Sequence, residues 1–217
     1  MAHEASVSVT PDGQTLILYK DDDGDGNLYY SSWSGSEWGT PIKFGDEINT
    51  KDWETHACFN VTKDILYFVS DRPGGFGGRD IYRSKKLPNG KWGKPTNLGP
   101  TINTAYDEEA PYLHANGNDF YFASEDHGTM GGFDIFKSSI ILGTDSFTKP
   151  VAMPYPINTP DDDLFFVVSA DNRRAYYASS HEDKSGHGEK DIYKIFMPDP
   201  EEPPLVLFLG QILPALC

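Results

Sequence analysis

The sequence predicts an all-β fold, a β-propeller built from about four four-stranded blades, and three observations predict it. A glycine-rich stretch, Ser70-Asp71-Arg72-Pro73-Gly74-Gly75-Phe76-Gly77-Gly78-Arg79-Asp80-Ile81-Tyr82-Arg83-Ser84, comes back along the chain. Each copy is flanked by runs of strand length, rich in β-branched and aromatic residues that suit a pleated, half-buried surface. Nowhere do 12 or more residues keep a helical period without a Gly or Pro interruption.

The second copy ends in Met130-Gly131-Gly132-Phe133-Asp134-Ile135-Phe136-Lys137-Ser138, and the third in Gly188-Glu189-Lys190-Asp191-Ile192-Tyr193-Lys194. A looser fourth runs through Gly24-Asp25-Gly26-Asn27-Leu28-Tyr29-Tyr30-Ser31. The Asp-Ile anchor advances from Asp80 to Asp134 to Asp191, steps of 54 and 57 residues. Repetition at that period sets the architecture, one supersecondary unit per step. A β-sandwich is the runner-up, but it gives no reason to repeat one pattern per four strands.

The units are about 4–53, 54–107, 108–162 and 163–197. Unit one offers Glu4-Ala5-Ser6-Val7-Ser8-Val9, a turn at Pro11-Asp12-Gly13, then Thr15-Leu16-Ile17-Leu18-Tyr19. Unit two offers Glu54-Thr55-His56-Ala57-Cys58-Phe59, a turn near Lys63-Asp64, then residues 65–69. Unit three turns at Asn116-Gly117-Asn118 and unit four at Asp171-Asn172-Arg173, residue choices that supply tight hairpin turns. Trp38-Gly39-Thr40-Pro41 matches Trp92-Gly93-Lys94-Pro95, with Phe147-Thr148-Lys149-Pro150 in the third place. Ile48-Asn49-Thr50, Ile102-Asn103-Thr104 and Ile157-Asn158-Thr159 close the first three units. Residues 198–217 read as a Pro/Glu linker followed by an apolar tail, either an outer strand or the start of a truncated next domain.

The pattern Ala110-Pro111-Tyr112-Leu113, then Asn116-Gly117-Asn118-Asp119-Phe120-Tyr121-Phe122-Ala123-Ser124 and Gly131-Gly132-Phe133-Asp134-Ile135-Phe136, resembles the WD-repeat-like propeller repeats of the TolB type. More narrowly, the stretch from Ser70 to Tyr82 with Asn97-Leu98-Gly99-Pro100-Thr101-Ile102-Asn103-Thr104 resembles the propeller region of Bacteroidetes OmpA-family outer-membrane proteins, some of them associated with type IX secretion. The resemblance covers about residues 4–196. It implies a periplasmic or outer-membrane-associated scaffold that contacts other envelope proteins or glycan and is not an enzyme. The chain departs from that pattern by lacking the lipoprotein signal, the helical repeats and the OmpA domain, so peptidoglycan binding does not carry over.

Composition narrows the function classes. In 217 residues, 18 basic against 33 acidic residues give a formal charge of −15, which repels phosphate backbones and argues against nucleic acid. No run approaches the roughly 20 apolar residues of a membrane-spanning helix. Residues 1–8 do not resemble a signal peptide, so by itself the sequence is expected to stay in the cytoplasm. The two cysteines, Cys58 and Cys217, read as a buried thiol and a tail thiol, with a disulfide as the alternative.

Asp21-Asp22-Asp23-Gly24-Asp25-Gly26-Asn27 is the front half of a calcium loop, in which Asp21, Asp23, Asp25 and Asn27 would be ligands. Ser32 stands where the closing Glu belongs, so the other reading is a solvated acidic hairpin loop. No other cofactor is indicated. The glycines at 74–78 lack a following helix and a Gly-Lys-Ser/Thr, which argues against a phosphate cradle. His56, His114, His127, His181 and His187 lack zinc-site spacing and read as surface residues. No Gly-x-Ser-x-Gly elbow occurs, and no catalytic residue is assigned.

Asp80, Asp134 and Asp191 recur and read as structural, accepting backbone N–H bonds or pairing with Arg72 or Arg79 of their own unit. Trp38 and Trp92 are equivalent and read as blade-packing residues, whereas Trp33 and Trp53 are not repeated and read as ligand candidates. Glu108-Glu109 and Asp161-Asp162-Asp163 begin inner strands, which puts Glu108 and Asp162 at the channel mouth as candidate partner contacts. The alternative function is a propeller hydrolase of glycans or peptides that uses those acidic residues.

Overall fold

The computed structural model describes residues 3–21, 24–181 and 190–197, and every described element is a β-strand. The first sheet holds β1 (Glu4–Val9), β2 (Thr15–Asp21), β3 (Gly26–Ser32) and β4 (Ile42–Lys43), hydrogen-bonded in chain order. The second repeats the order with β5 (Glu54–Phe59), β6 (Ile65–Ser70), β7 (Asp80–Lys85) and β8 (Thr96–Asn97). The third holds β9 (Glu108–Leu113), β10 (Asp119–Ser124), β11 (Asp134–Ser139) and β12 (Val151–Ala152). The fourth, over the described residues, holds β13 (Asp163–Val168), β14 (Arg174–Ser179) and β15 (Asp191–Phe196). All pairs are antiparallel, which makes a propeller of four blades.

The inner strands β5, β9 and β13 share a device. Their pairing shifts register between Glu54 and Ala57, opposite Tyr121–Ala123, and between Leu164 and Val167. Two of the displaced residues, Ala110 and Phe165, take positive φ angles of 50° and 59°. A bulge re-aims a side chain and bends its strand, so one residue per blade is turned toward the propeller axis. There His56 and Phe165 meet with ring centroids 5.1 Å apart, beside a cavity of about 50 Å³ bordered by all four inner strands.

The core lies between blades as three aromatic-rich layers, with Phe68, Phe120, Phe122 and Phe136 essentially inaccessible. The Ile-Asn-Thr repeats lock each blade. Ile48, Ile102 and Ile157 enter those layers. Asn49, Asn103 and Asn158 each accept an N–H from and donate to the carbonyl of one strand residue, Leu28, Ile81 and Ile135. Thr50, Thr104 and Thr159 bind the buried carboxylates Glu54, Glu108 and Asp163 through backbone N–H and hydroxyl. At these junctions the buried amides and carboxylates thus take up backbone N–H and C=O groups of neighbouring segments.

The glycine-rich loop exists for close approach. A Cβ on Gly77 would stand 2.0 Å from the Tyr106 carbonyl oxygen, and one on Gly131 would stand 2.4 Å from the Pro160 carbonyl carbon. Each loop therefore lies flat on the start of the next blade. Asp80 holds it by accepting the Phe76 N–H at 2.6 Å and the Gly77 N–H at 3.2 Å, and Asp134 accepts the Met130 N–H likewise. Asp191 begins β15 half-buried. Of the two roles expected for Asp80 it takes the first, backbone N–H bonds, and not pairing with an arginine. Arg72 turns instead to Glu54 and the Ile48 carbonyl, and Arg79 crosses to the next blade. The segment 198–217 read as linker and tail, Cys217 and His187 lie outside the described residues.

Candidate functional site: the axial ion cluster and its rim

Because the loop at 74–78 lies flat, Arg79 is delivered to the seam between the second and third blades. Its backbone N–H donates to Asp107 Oδ1 at 2.8 Å, and its Nε and Nη2 donate to Asp107 Oδ2 at 2.9 and 2.6 Å. Its Nη1 lies 2.6 Å from Glu109 Oε1. The other Glu109 oxygen takes the Thr55 hydroxyl at 3.1 Å and a short hydrogen bond from His56 Nδ1. Glu109 is only 3% exposed, so a buried carboxylate of the third blade is matched here by three donors from the second. Burial works against the Arg79 charge, but Glu109 and Asp107 outweigh it and hold its pKa above the usual value.

The backbone half of this seam is generic. Phe133 occupies the Arg79 position one blade on, where its N–H donates to Asp162 Oδ1 at 3.2 Å and Lys190 approaches Asp162 Oδ2 at 3.3 Å. The side-chain half is unique. His56, Ala110 and Phe165 hold the same bulged place in three blades, and only His56 is ionisable.

The rim at this end of the blades carries a second pattern. Strands β5, β7, β9 and β11 begin and β6 ends on this edge, so the residues of the loops flanking them lie there. They include Trp53 at 44% exposed, Phe76 at 51%, Tyr106 at 57% and Met130 at 55%. Arg79 and Asp107, both half-buried, stand among them.

The sequence candidates do not assemble into one site. Trp53 and Asp162 fall on this rim. Trp33 packs edge-on against Trp38, centroids 5.2 Å apart, at the far end of the first blade. Glu108, expected at the channel mouth, is fully buried, because its carboxylate accepts from Thr104 and from Ser124 at 2.9 Å. Burial pushes its pKa up to about 7 against those hydrogen bonds.

Trp92 packs as expected, against the core layer that holds Phe44, and its free face also lines an open groove between the first two blades. His114, expected at the surface, is buried with Nε2 3.1 Å from the Ser169 carbonyl. Cys58 is a buried free thiol whose pKa burial pushes up to about 12, which makes it unreactive.

Of the calcium-loop residues, Asp23 lies outside the described residues. Asp21 ends β2 opposite Gly26, and the Asn27 amide nitrogen donates to the Asp25 carbonyl and carboxylate at 2.9 and 3.0 Å. Among the described residues no cluster of three or more metal-ligating side chains occurs. No described helix is long and apolar enough to cross a membrane, a statement that leaves β-barrels aside.

Sequence reasoning missed Arg79, Asp107, Thr55, His56 and Glu109 as one constellation. The available signal was departure from the repeat: Arg79 stands where the next unit has Phe133, and His56 where the others have Ala110 and Phe165.

No protein-family model matches the chain, and no curated protein does. The fold is similar to TolB from Acinetobacter baumannii, at a TM-score of 0.54 and 14% identity over 90% of this chain and 41% of that one. It is similar to a structure assigned to TolB from Agrobacterium tumefaciens, at a TM-score of 0.54 and 18% identity over 89% of this chain and 58% of that one. It is also similar to a luciferin-regenerating enzyme, at a TM-score of 0.52 and 12% identity over 89% of this chain and 61% of that one. The chain thus spans about half the length of the TolB structures, and the likeness is one of TolB-type propeller fold. The expectation that the chain is not an enzyme is corrected by the third match. An enzyme is built on this fold as well, so the fold does not separate binder from catalyst.

Proposed function

We propose that the rim bearing Trp53, Phe76, Tyr106 and Met130 is a recognition face for a protein partner, and that the chain works as the propeller module of a bacterial cell-envelope assembly. The observation that carries the reading is the gathering of exposed aromatic residues, a methionine and an arginine on one edge of an acidic chain. Trp, Tyr and Arg dominate binding energy at protein interfaces, and large exposed apolar side chains grouped on one edge mark a contact surface. The Arg79–Glu109–His56 cluster, built on the buried Glu109, ties that edge across two blades, which preorganises it and lowers the entropic cost of docking. The envelope setting is supported by the TolB-type fold and by the motif-level resemblance to OmpA-family envelope proteins. Glycan contact is treated separately below.

The test is co-purification from a detergent-solubilised envelope fraction. Wild-type protein should retain a stoichiometric protein partner that a Trp53→Ala, Phe76→Ser double variant loses at unchanged thermal stability. Equal recovery from both would remove the rim from the interface.

A second reading rests on His56. Glu109 holds its Nδ1, which orients the ring as a carboxylate does for a general base. Ester or peptide hydrolysis abolished by His56→Ala, and left intact by Trp53→Ala, would favour that reading.

A further inference from the structure

The opposite edge of the first two blades carries a groove that neither reading uses. Two lobes, about 300 and 570 Å³, share Tyr30, Phe44, Gly90 and Trp92. Its floor is a continuous aromatic cluster. Tyr30 lies 5.0 Å from Phe44, Phe44 lies 6.2 Å from Trp92, and Trp92 stacks on Phe59 at 5.8 Å, all between ring centroids. Phe44 is buried, whereas Tyr30, Phe59 and Trp92 stay half-exposed and so present ring surface to the groove. Lys86 lines the smaller lobe, and Lys91, Asp46 and Glu47 line the larger.

The repeat provides an internal comparison. Tyr30, Arg83 and Lys137 hold one position, each paired with the first residue of the short outer strand, Ile42, Thr96 and Val151. In the second and third blades that position is a cation answered by a carboxylate, Arg83 by Asp145 at 2.7 Å and Lys137 by Asp119 at 2.9 Å. Between the second and third blades, Arg83 and Asp145 line a smaller cavity of about 280 Å³, with Phe147 in the place of Trp92. In the first blade the cation is replaced by Tyr30, and no carboxylate answers Lys86 or Lys91 among the described residues. Lys86 Nζ instead hangs 6.0 Å from the Trp92 ring centre, while Lys63 is already taken by Asp12 at 2.6 Å.

An aromatic floor suits the C–H faces of pyranose rings. Carboxylate side chains accept from sugar hydroxyls, and two unanswered ammonium groups call for an anion. We infer that this groove binds an acidic oligosaccharide, with rings lying against Trp92 and Tyr30, hydroxyls donating to Asp46 and Glu47, and a ring carboxylate between Lys86 and Lys91. The site lies at the far end of the blades from the protein-recognition rim and stands independently of it.

The intact protein is titrated calorimetrically with hexagalacturonate, cellohexaose and hexaglutamate. The expected result is saturable binding of hexagalacturonate, about tenfold tighter than cellohexaose, and none of hexaglutamate. Trp92→Phe copies the aromatic of the next unit and so keeps the fold. It and Lys86→Glu should each weaken hexagalacturonate by about tenfold or more, with Trp38→Phe unchanged. Absence of heat with both saccharides, equal affinity for the two, hexaglutamate binding as tightly, or unaltered affinity in both groove variants would each overturn the inference.

Discussion

Asn103 grips Ile81 twice: its side-chain oxygen accepts the Ile81 N–H at 2.8 Å and its amide nitrogen donates to the Ile81 carbonyl at 2.9 Å. One side chain thereby acts as an extra strand residue against β7, and Asn49 and Asn158 do the same in their blades. Removing it strands two buried backbone groups. Asn103→Ala should cost about 2–5 kcal/mol, since each unmet buried group costs about 1–3 kcal/mol. Urea unfolding measures it, and a loss below about 0.5 kcal/mol would deny Asn103 this role.

Glu108 sets a pH dependence. Burial raises its carboxyl from 4.5 in the unfolded chain to about 7 in the fold, so the folded chain keeps a proton that the unfolded chain releases. Its contribution to stability is full below about pH 4.5 and is lost as pH rises through about 7. Over that window the loss is on the order of 2–3 kcal/mol. Glu108→Gln keeps acceptors and donors for Thr104 and Ser124 without a titrating proton. Its urea midpoint should therefore fall less than that of wild type between pH 4.5 and 8. Some slope should remain, because burial also raises Glu54 and Asp163. Parallel slopes in the two proteins would show that Glu108 does not titrate there.

The recurrence of Ile-Asn-Thr in three units and of the Asp-Ile anchor was enough to read the blades from the sequence, because the Asn and Thr of that motif meet the same kind of partner in each of those three blades. What stayed hidden was direction. Asp80 and Arg79 are neighbours in sequence, yet Asp80 folds back on its own loop while Arg79 reaches Asp107 at the seam and Glu109 of the next blade. Trp33 and Trp53, chosen because they do not repeat, land at different ends of the propeller. Trp92, passed over because Trp38 repeats it, lines the groove between the first two blades, and Phe147 lines a smaller cavity one blade later. Burial of Glu108 depends on Thr104 and Ser124 arriving from two segments, which no local pattern announces.

Gly77 is held to its identity by the Tyr106 carbonyl, 2.0 Å from where a Cβ would stand, with the Thr104 carbonyl at 2.8 Å. Both obstacles are backbone, so they yield only if the seam moves. Gly77→Ala should destabilise by about 1–3 kcal/mol, whereas Gly90→Ala, which meets no atom within 4 Å, should cost less, through its φ of 82° alone. Thermal melts of both variants make the comparison, and the reverse order would contradict a flat-lying loop.

Arg79 and Glu109 should be coupled. Arg79→Ala leaves Glu109 buried with two donors, so in a double-mutant cycle with Glu109→Gln the interaction should be about 1–2 kcal/mol after allowance for the partial exposure of Arg79. The exposed Lys85–Asp145 pair should give about 0–1 kcal/mol. Equal coupling in the two cycles would remove the seam's claim to hold the rim together.

Protein recognition at the aromatic rim is tested most directly by site-specific photo-crosslinking in cells. A benzophenone side chain is placed at Phe76 or Tyr106 on the rim, or at Leu142, which is 98% exposed on the opposite edge. The account predicts one discrete protein adduct from Phe76 and from Tyr106, suppressed by Trp53→Ala, and none from Leu142. Adducts from Leu142 with none from the two rim positions would contradict it.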